Sequence, residues 1–299
     1  MSLPKPTAKS TALVTGASGG IGTEIARELA RRGHGVVLVA RRKPRLETVA
    51  EELRGEFGIR AETISADLAK PASRSRIPRR ITELGLDVEI LVNNAGFATG
   101  GPFYEADAAR EIEQVQVLVE AVVALTSAFL PEMVRQRRGG ILNVASTAAM
   151  QPLPYAAGYS AAKAYVLTFS EAIHQEVQGR GVTVTALCPG PVDTDFWEIA
   201  GWEAGGHSFE RAVPSPALIS AKDAARAGVD GLASGKRVVV PGLPMRAAML
   251  ATRYIPHAVK LPVVERVMRG RDSTDPTNPA SQAGPAAEPA APLRPGCGR

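Results

Sequence analysis

Cysteine is almost missing from this chain: Cys188 and Cys297 are the only two among 299 residues. They form no C-x-x-C and no metal-ligand spacing, which excludes a framework of disulfides and leaves no metal expected. Thiols this sparse suit a reducing compartment, so a cytoplasmic protein is expected. Aromatic residues make up only 5%, and none are interleaved with the arginines behind the formal net charge of +5. Nucleic acid is therefore not the expected partner, and the positive charge reads as solvated helical surface. The amino terminus lacks a long hydrophobic run too. Residues 1–10 carry Lys5 and Lys9, but the apolar run behind them is too short for a leader peptide or a spanning helix.

What is present is a hydrophobic content of 45%, enough for a sizeable core. Short β-branched runs at Thr11 to Thr15, Val36 to Ala40, Ala61 to Ile64, Ile90 to Val92, Ile141 to Ala145, Val182 to Leu187 and Arg237 to Val240 alternate with longer amphipathic stretches. Continuous apolar strands joined by helices imply a parallel sheet covered on both faces. The expected fold is a doubly wound, Rossmann-type α/β domain of about seven strands. It fills residues 8–242, after an extension at 1–7. Residues 243–272 read as a basic, apolar helical segment that Pro256 and Pro262 interrupt. Packing on the domain or on a second subunit is one reading of it, and weak contact with a membrane surface is another. Beyond that, 273–299 turns to Pro, Ala, Gly and Ser, the composition of a disordered tail.

The first strand runs into Thr15-Gly16-Ala17-Ser18-Gly19-Gly20-Ile21-Gly22, ahead of a helix expected over Thr23 to Arg32. Glycines let the backbone turn tightly beside a pyrophosphate, whose charge the helix N-terminus meets with free N–H groups. Gly16, Ser18, Gly20, Ile21 and Gly22 are therefore candidate cofactor contacts, although the spacing is not G-x-G-x-x-G. At the end of the second strand, where an NAD site would place a carboxylate, the sequence has Arg41 and Arg42. An arginine there suits a 2′-phosphate, with Ser18 as a further donor, so NADP(H) is expected over NAD(H). Arg42 also reads as the start of a solvent-facing helix.

Tyr159 and Lys163 stand four apart in a helical stretch and share one face. A phenol, with a reference pKa of about 10, becomes a useful base only beside a cation, and Lys163 can be that cation. With these residues the chain resembles the short-chain dehydrogenase/reductase family across residues 8–242. The resemblance rests on Thr15, Gly16, Gly20 and Gly22, on Asp67-Leu68 and on Asn93-Asn94-Ala95-Gly96. It extends through Asn143-Val144-Ala145-Ser146, the Tyr/Lys pair and Pro189-Gly190. It implies an oxidoreductase that interconverts a carbonyl and an alcohol with NADP(H). Tyr159 would be the general acid/base, Lys163 would bind the nicotinamide ribose, and Ser146 would hold the reacting oxygen. Asp67 and Leu68 would lie by the adenine, and Asn94, Ala95 and Gly96 would form the cofactor floor. Pro189, Gly190, Val192 and Thr194 would pass the nicotinamide amide. Assembly as a homodimer or homotetramer through the fourth and fifth helices is implied as well.

One departure from the family pattern is Leu118, which stands where many members carry an asparagine that holds a proton-relaying water. Gln114, one turn earlier, is either a substitute for that asparagine or a solvated helix residue. Because of Leu118 a second reading stays open, a non-catalytic protein that binds NADPH and reports it to a partner. A substrate lid is expected over about 191–215, where Phe196, Trp197, Trp202, His207 and Phe209 suggest a small carbonyl or alcohol substrate, apolar in part. Tyr155 is a candidate pocket residue. Cys188, between a buried strand and Pro189, reads as core and not as a nucleophile.

Overall fold

The computed structural model describes residues 3–192, 219–252 and 254–269. In it the apolar runs become strands β1 Ser10–Thr15, β2 Gly35–Ala40, β3 Ala61–Ser65, β4 Asp87–Asn93, β5 Gly139–Val144, β6 Val182–Leu187 and β7 Val238–Val239. All pairings are parallel, in the order β3-β2-β1-β4-β5-β6-β7. Every residue of β1 is buried, which is why the strand lacks polar alternation. Ala12 and Val14 face a layer made by α1 (Gly20–Arg31), α2 (Lys43–Phe57) and α8 (Ala221–Ala233). Leu13 faces the opposite layer, where α4 (Arg76–Glu83), α6 (Ala121–Gln136) and α7 (Ala157–Glu176) pack. A short α3 (Pro71–Arg74) precedes α4. Burying a Leu, Ile or Val side chain is worth roughly 1.5–3 kcal/mol, so the two layers and the sheet between them supply the main drive to fold.

Helix α1 starts at Gly20, earlier than the Thr23 expected from sequence, because Ile21 and Gly22 are already helical. Gly19 stands at its N-cap in an extended conformation with no capping side chain, so the first-turn N–H groups are left for another acceptor. Helix α5 (Ala108–Val115) runs through a wide π-type turn, Gln116–Glu120, directly into α6. This long element packs against the sheet through Leu125, Phe129 and Met133. A buried polar chain ties the ends of β4 and β5 to α7. Asn93 Nδ2 donates to Asn143 Oδ1 at 2.8 Å, Asn143 Nδ2 donates to Ser170 Oγ at 2.8 Å, and Ser170 Oγ donates to the Val166 carbonyl at 2.6 Å.

The C-terminal segment forms two helices, α9 (Leu243–Thr252) and α10 (His257–Arg269). Pro256 separates them as expected, but Pro262 does not interrupt: α10 continues through it. Val264 and Met268, beyond the proline, pack on the domain, and that burial offsets the one backbone hydrogen bond proline removes. Lys260 Nζ donates to the Thr252 carbonyl at 3.4 Å and so holds the start of α10 to the end of α9.

Candidate active site

The chain winds outward from β1 through β2 to β3, then returns to the middle and continues from β4 to β7, so the carboxyl ends of β1 and β4 open a crevice at the switch point. Thr15, the last residue of β1, fixes its floor. Its hydroxyl donates to the Val92 carbonyl at 3.1 Å and accepts the Asn94 and Ala95 N–H groups at 2.9 and 3.1 Å. Asn94 Nδ2 donates back to the Thr15 carbonyl at 2.9 Å, so Asn94 staples the glycine turn to β4. Gly16 adopts a φ of 67°, which side chains with a Cβ rarely tolerate. Gly22 does not line the cavity: it is buried beneath the turn, where a Cβ would collide with the Gly16 carbonyl. Its role is helix-to-strand packing.

A cavity of about 500 Å³ extends from this turn to Tyr159, a size that suits an organic ligand. At one end lie Gly16, Ser18, Gly20 and Ile21, the uncapped N-terminus of α1, and both Arg41 and Arg42. Arg42 Nη2 is 3.4 Å from Ser18 Oγ, whereas Arg41 leans towards Glu113, 3.5 Å away. Arg42 both lines the cavity and stands, exposed, at the N-cap of α2. Free N–H groups and two guanidinium groups form a cradle for a phosphate-bearing ligand, and these residues fit a dinucleotide with an extra phosphate. Asp67 and Leu68 line the next stretch; the Asp67 carboxylate accepts the Ala69 N–H at 3.1 Å. Asn94, Ala95 and Gly96 form the floor, and Pro189, Gly190 and Val192 form the far wall. Thr194 and the aromatic lid residues Phe196, Trp197, Trp202, His207 and Phe209 lie outside the described residues.

Ser146, Tyr159 and Lys163 meet at the other end. Ser146 follows β5 by two residues and caps a short 3-10 segment, Thr147–Met150, with its hydroxyl accepting the Ala148 N–H at 3.1 Å. Tyr159 shares a hydrogen bond with the Ser146 side chain; burial pushes its phenol up to about 12, and that bond offsets part of the rise. Lys163 Nζ donates to the Val144 carbonyl at 2.7 Å and stands 5.7 Å from the centre of the Tyr159 ring. Burial lowers the Lys163 ammonium to about 8. Cys188 is fully buried behind Ser146 and Lys163, and desolvation raises its thiol to about 12, so it stays protonated as a core residue. The site thus holds a buried phenol as a neutral proton donor, a second hydroxyl beside it, and a lysine poised between charged and neutral forms.

Leu118 is buried at the wide turn against Gly96. Gln114 is fully buried and so is not a solvated helix residue. Its Nε2 donates to Thr99 Oγ1 at 2.9 Å, and its Oε1 has no partner among the described residues. Tyr155 does not line the cavity; with a φ of 64° it packs behind Tyr159. Sequence reasoning missed the lining residues that pack with Tyr159: Ala98, Ala148, Leu153, Ala156 and, from α10, Met268. Only Met268 had a readable signal, an i, i+4 apolar pair with Val264 on the inner face of α10.

Comparison with known proteins matches residues 10–202 to the short chain dehydrogenase family. The very-long-chain 3-oxoacyl-CoA reductase of Anas platyrhynchos is 36% identical over 209 residues, covering 68% of this chain and 64% of that protein. The chain spans about six tenths of the length of the first curated relatives it matches. Among solved structures, a short-chain dehydrogenase from Sphingobium yanoikuyae in complex with NADPH superposes with a TM-score of 0.72 at 32% identity, covering 85% of this chain and 94% of that one. The L-sorbose reductase of Gluconobacter frateurii, complexed with NADPH and L-sorbose, gives 0.71 at 28% identity, covering 81% and 98%.

Proposed function

The chain belongs to the short-chain dehydrogenase family, and from that premise we propose that it is an NADP(H)-dependent oxidoreductase interconverting a carbonyl and an alcohol, with Tyr159 as general acid/base. The observation that carries this reading is the meeting of Ser146, Tyr159 and Lys163 in the cavity that also holds the glycine turn and the two arginines. When bound, NADP(H) supplies the two-electron reducing equivalent. Tyr159 gives its proton to the substrate oxygen as negative charge grows there, and the Ser146 hydroxyl donates a second hydrogen bond to the same atom. Lys163, as a cation, stabilises the phenolate that remains. Arg41, Arg42 and Ser18 bind the 2′-phosphate, and the α1 N-terminus meets the pyrophosphate. Leu153, Ala156 and Met268 give the substrate end an apolar wall, which suits a carbonyl or alcohol with an apolar substituent.

The test begins with fluorescence titration by NADPH and NADH, followed by NADPH oxidation across ketones, aldehydes and acyl thioesters. Tyr159→Phe is expected to lose about 10²- to 10⁴-fold in kcat/KM while keeping NADPH affinity; an unchanged rate removes tyrosine from the chemistry. Leu118, an apolar residue at the wide turn, favours a second reading, a non-catalytic NADPH sensor. Tight NADPH binding without turnover on any substrate of the panel would move that reading ahead.

A further inference from the structure

Helices α9 and α10 are apolar on two sides. Their inner sides reach the active-site cavity: Met268 forms part of its wall, and Met245 packs against Gly190. Their outer sides face solvent. Leu243 and Tyr254 are 80% and 84% exposed, and Val259, Val263 and Val267, four residues apart along α10, are 60%, 61% and 47% exposed. That spacing puts the three valines on one stripe. Water does not favour such a stripe, and single scattered apolar residues do not account for it.

The charges around the stripe say what covers it. Arg266 is exposed beside the valines and Arg246 beside Leu243 on α9, and the single acid of residues 243–268, Glu265, is half-buried. A two-fold contact between copies would bring this positive face against itself with no exposed acid among the described residues of α9 and α10 to answer it. An anionic lipid surface complements both the charge and the apolar stripe. We propose that the outer face of α9 and α10 is a membrane-surface contact that seats the protein on an anionic bilayer. The helices whose inner sides wall the cavity would then be the ones touching lipid. A substrate with an acyl or other lipid-soluble tail could enter from the bilayer and would not have to cross water.

The experiment uses the full chain with vesicles of phosphatidylcholine alone and of phosphatidylcholine mixed with phosphatidylglycerol. Co-sedimentation with the mixed vesicles is expected, at least about ten-fold weaker with phosphatidylcholine alone and weakened by salt. The double variant Val259→Asp, Val263→Asp is expected to lose binding by about ten-fold or more. NADPH affinity and the melting transition, read on the same variant, are expected to match wild type. No co-sedimentation, or binding that the double variant leaves intact, overturns the proposal. So does sedimentation velocity in which wild type is an oligomer that the variant dissociates, since the stripe would then be a contact between copies. Turnover in free solution is measured separately, so failure here leaves the assignment of Tyr159 standing.

Discussion

Leu118 lies directly over Gly96: a Cβ placed on that glycine would stand 2.5 Å from Leu118 Cδ2. The leucine sits in the π-type turn Gln116–Glu120, where the helix backbone widens, and it is only 1% exposed. Gly96 in turn lines the cavity. The leucine thus packs a methyl group against the back of the cavity floor. Close packing at Gly96 therefore adds to the hydrogen bonds by which Thr15 and Asn94 hold the floor.

Gly96→Ala should overpack this contact. The expected cost is about 1–3 kcal/mol in stability, with weaker NADPH binding because the floor must move. Urea denaturation and cofactor titration check both effects. Wild-type stability would mean that Leu118 has room to yield.

Arg41 and Arg42 approach the same end of the cavity by different routes, one leaning on Glu113 and the other on Ser18. Replacing both with alanine should weaken NADPH by about 10- to 100-fold, the scale of a lost charged hydrogen bond, and leave NADH nearly unchanged. Arg42→Ala alone should account for much of the change. Equal losses for both cofactors would assign the arginines a structural role.

Activity should depend on pH through Lys163. Its ammonium is lowered to about 8 by burial, so the charged form prevails below that value and is lost above it. Reduction, measured as kcat/KM, is expected to be level in neutral buffer and to fall as pH rises through about 8. Lys163→Arg keeps the charge at higher pH and should move the falling limb upward. An unmoved limb would trace it to another group.

Stability should fall on the acid side because of His34 and Glu28. Burial, with Arg32 and Arg138 nearby, lowers His34 from 6.5 to about 4. The unfolded chain therefore takes up a proton between those values that the folded chain refuses, so stability is lost as pH falls through that window. The contribution is up to about 3 kcal/mol. Glu28, held near 2 chiefly by its hydrogen bond with Arg31 and further by Arg32, adds loss in the same direction between 4.5 and 2. His34→Gln is expected to flatten the curve of melting temperature between pH 6.5 and 4. A curve unchanged by that variant would place the acid sensitivity elsewhere.

Local chemistry by itself determined a large part of this protein. The apolar runs at Val36 to Ala40 and Val182 to Leu187 became central strands because such runs can be buried on both faces only in a parallel sheet. The glycine turn, the Tyr159/Lys163 spacing and Ser146 were readable because each is a short-range pattern with a direct geometric consequence. Tertiary structure decided what depends on residues far apart in the chain. Gly22 became a packing residue because Asn94 and Gly16 crowd it, and Gln114 was buried beside Thr99. Arg42 was drawn to Ser18, and Met268 was carried by α10 to the wall beside Tyr159. No local pattern specifies such meetings. They arise from how helices dock on the sheet, and docking is set by the summed burial of the whole core.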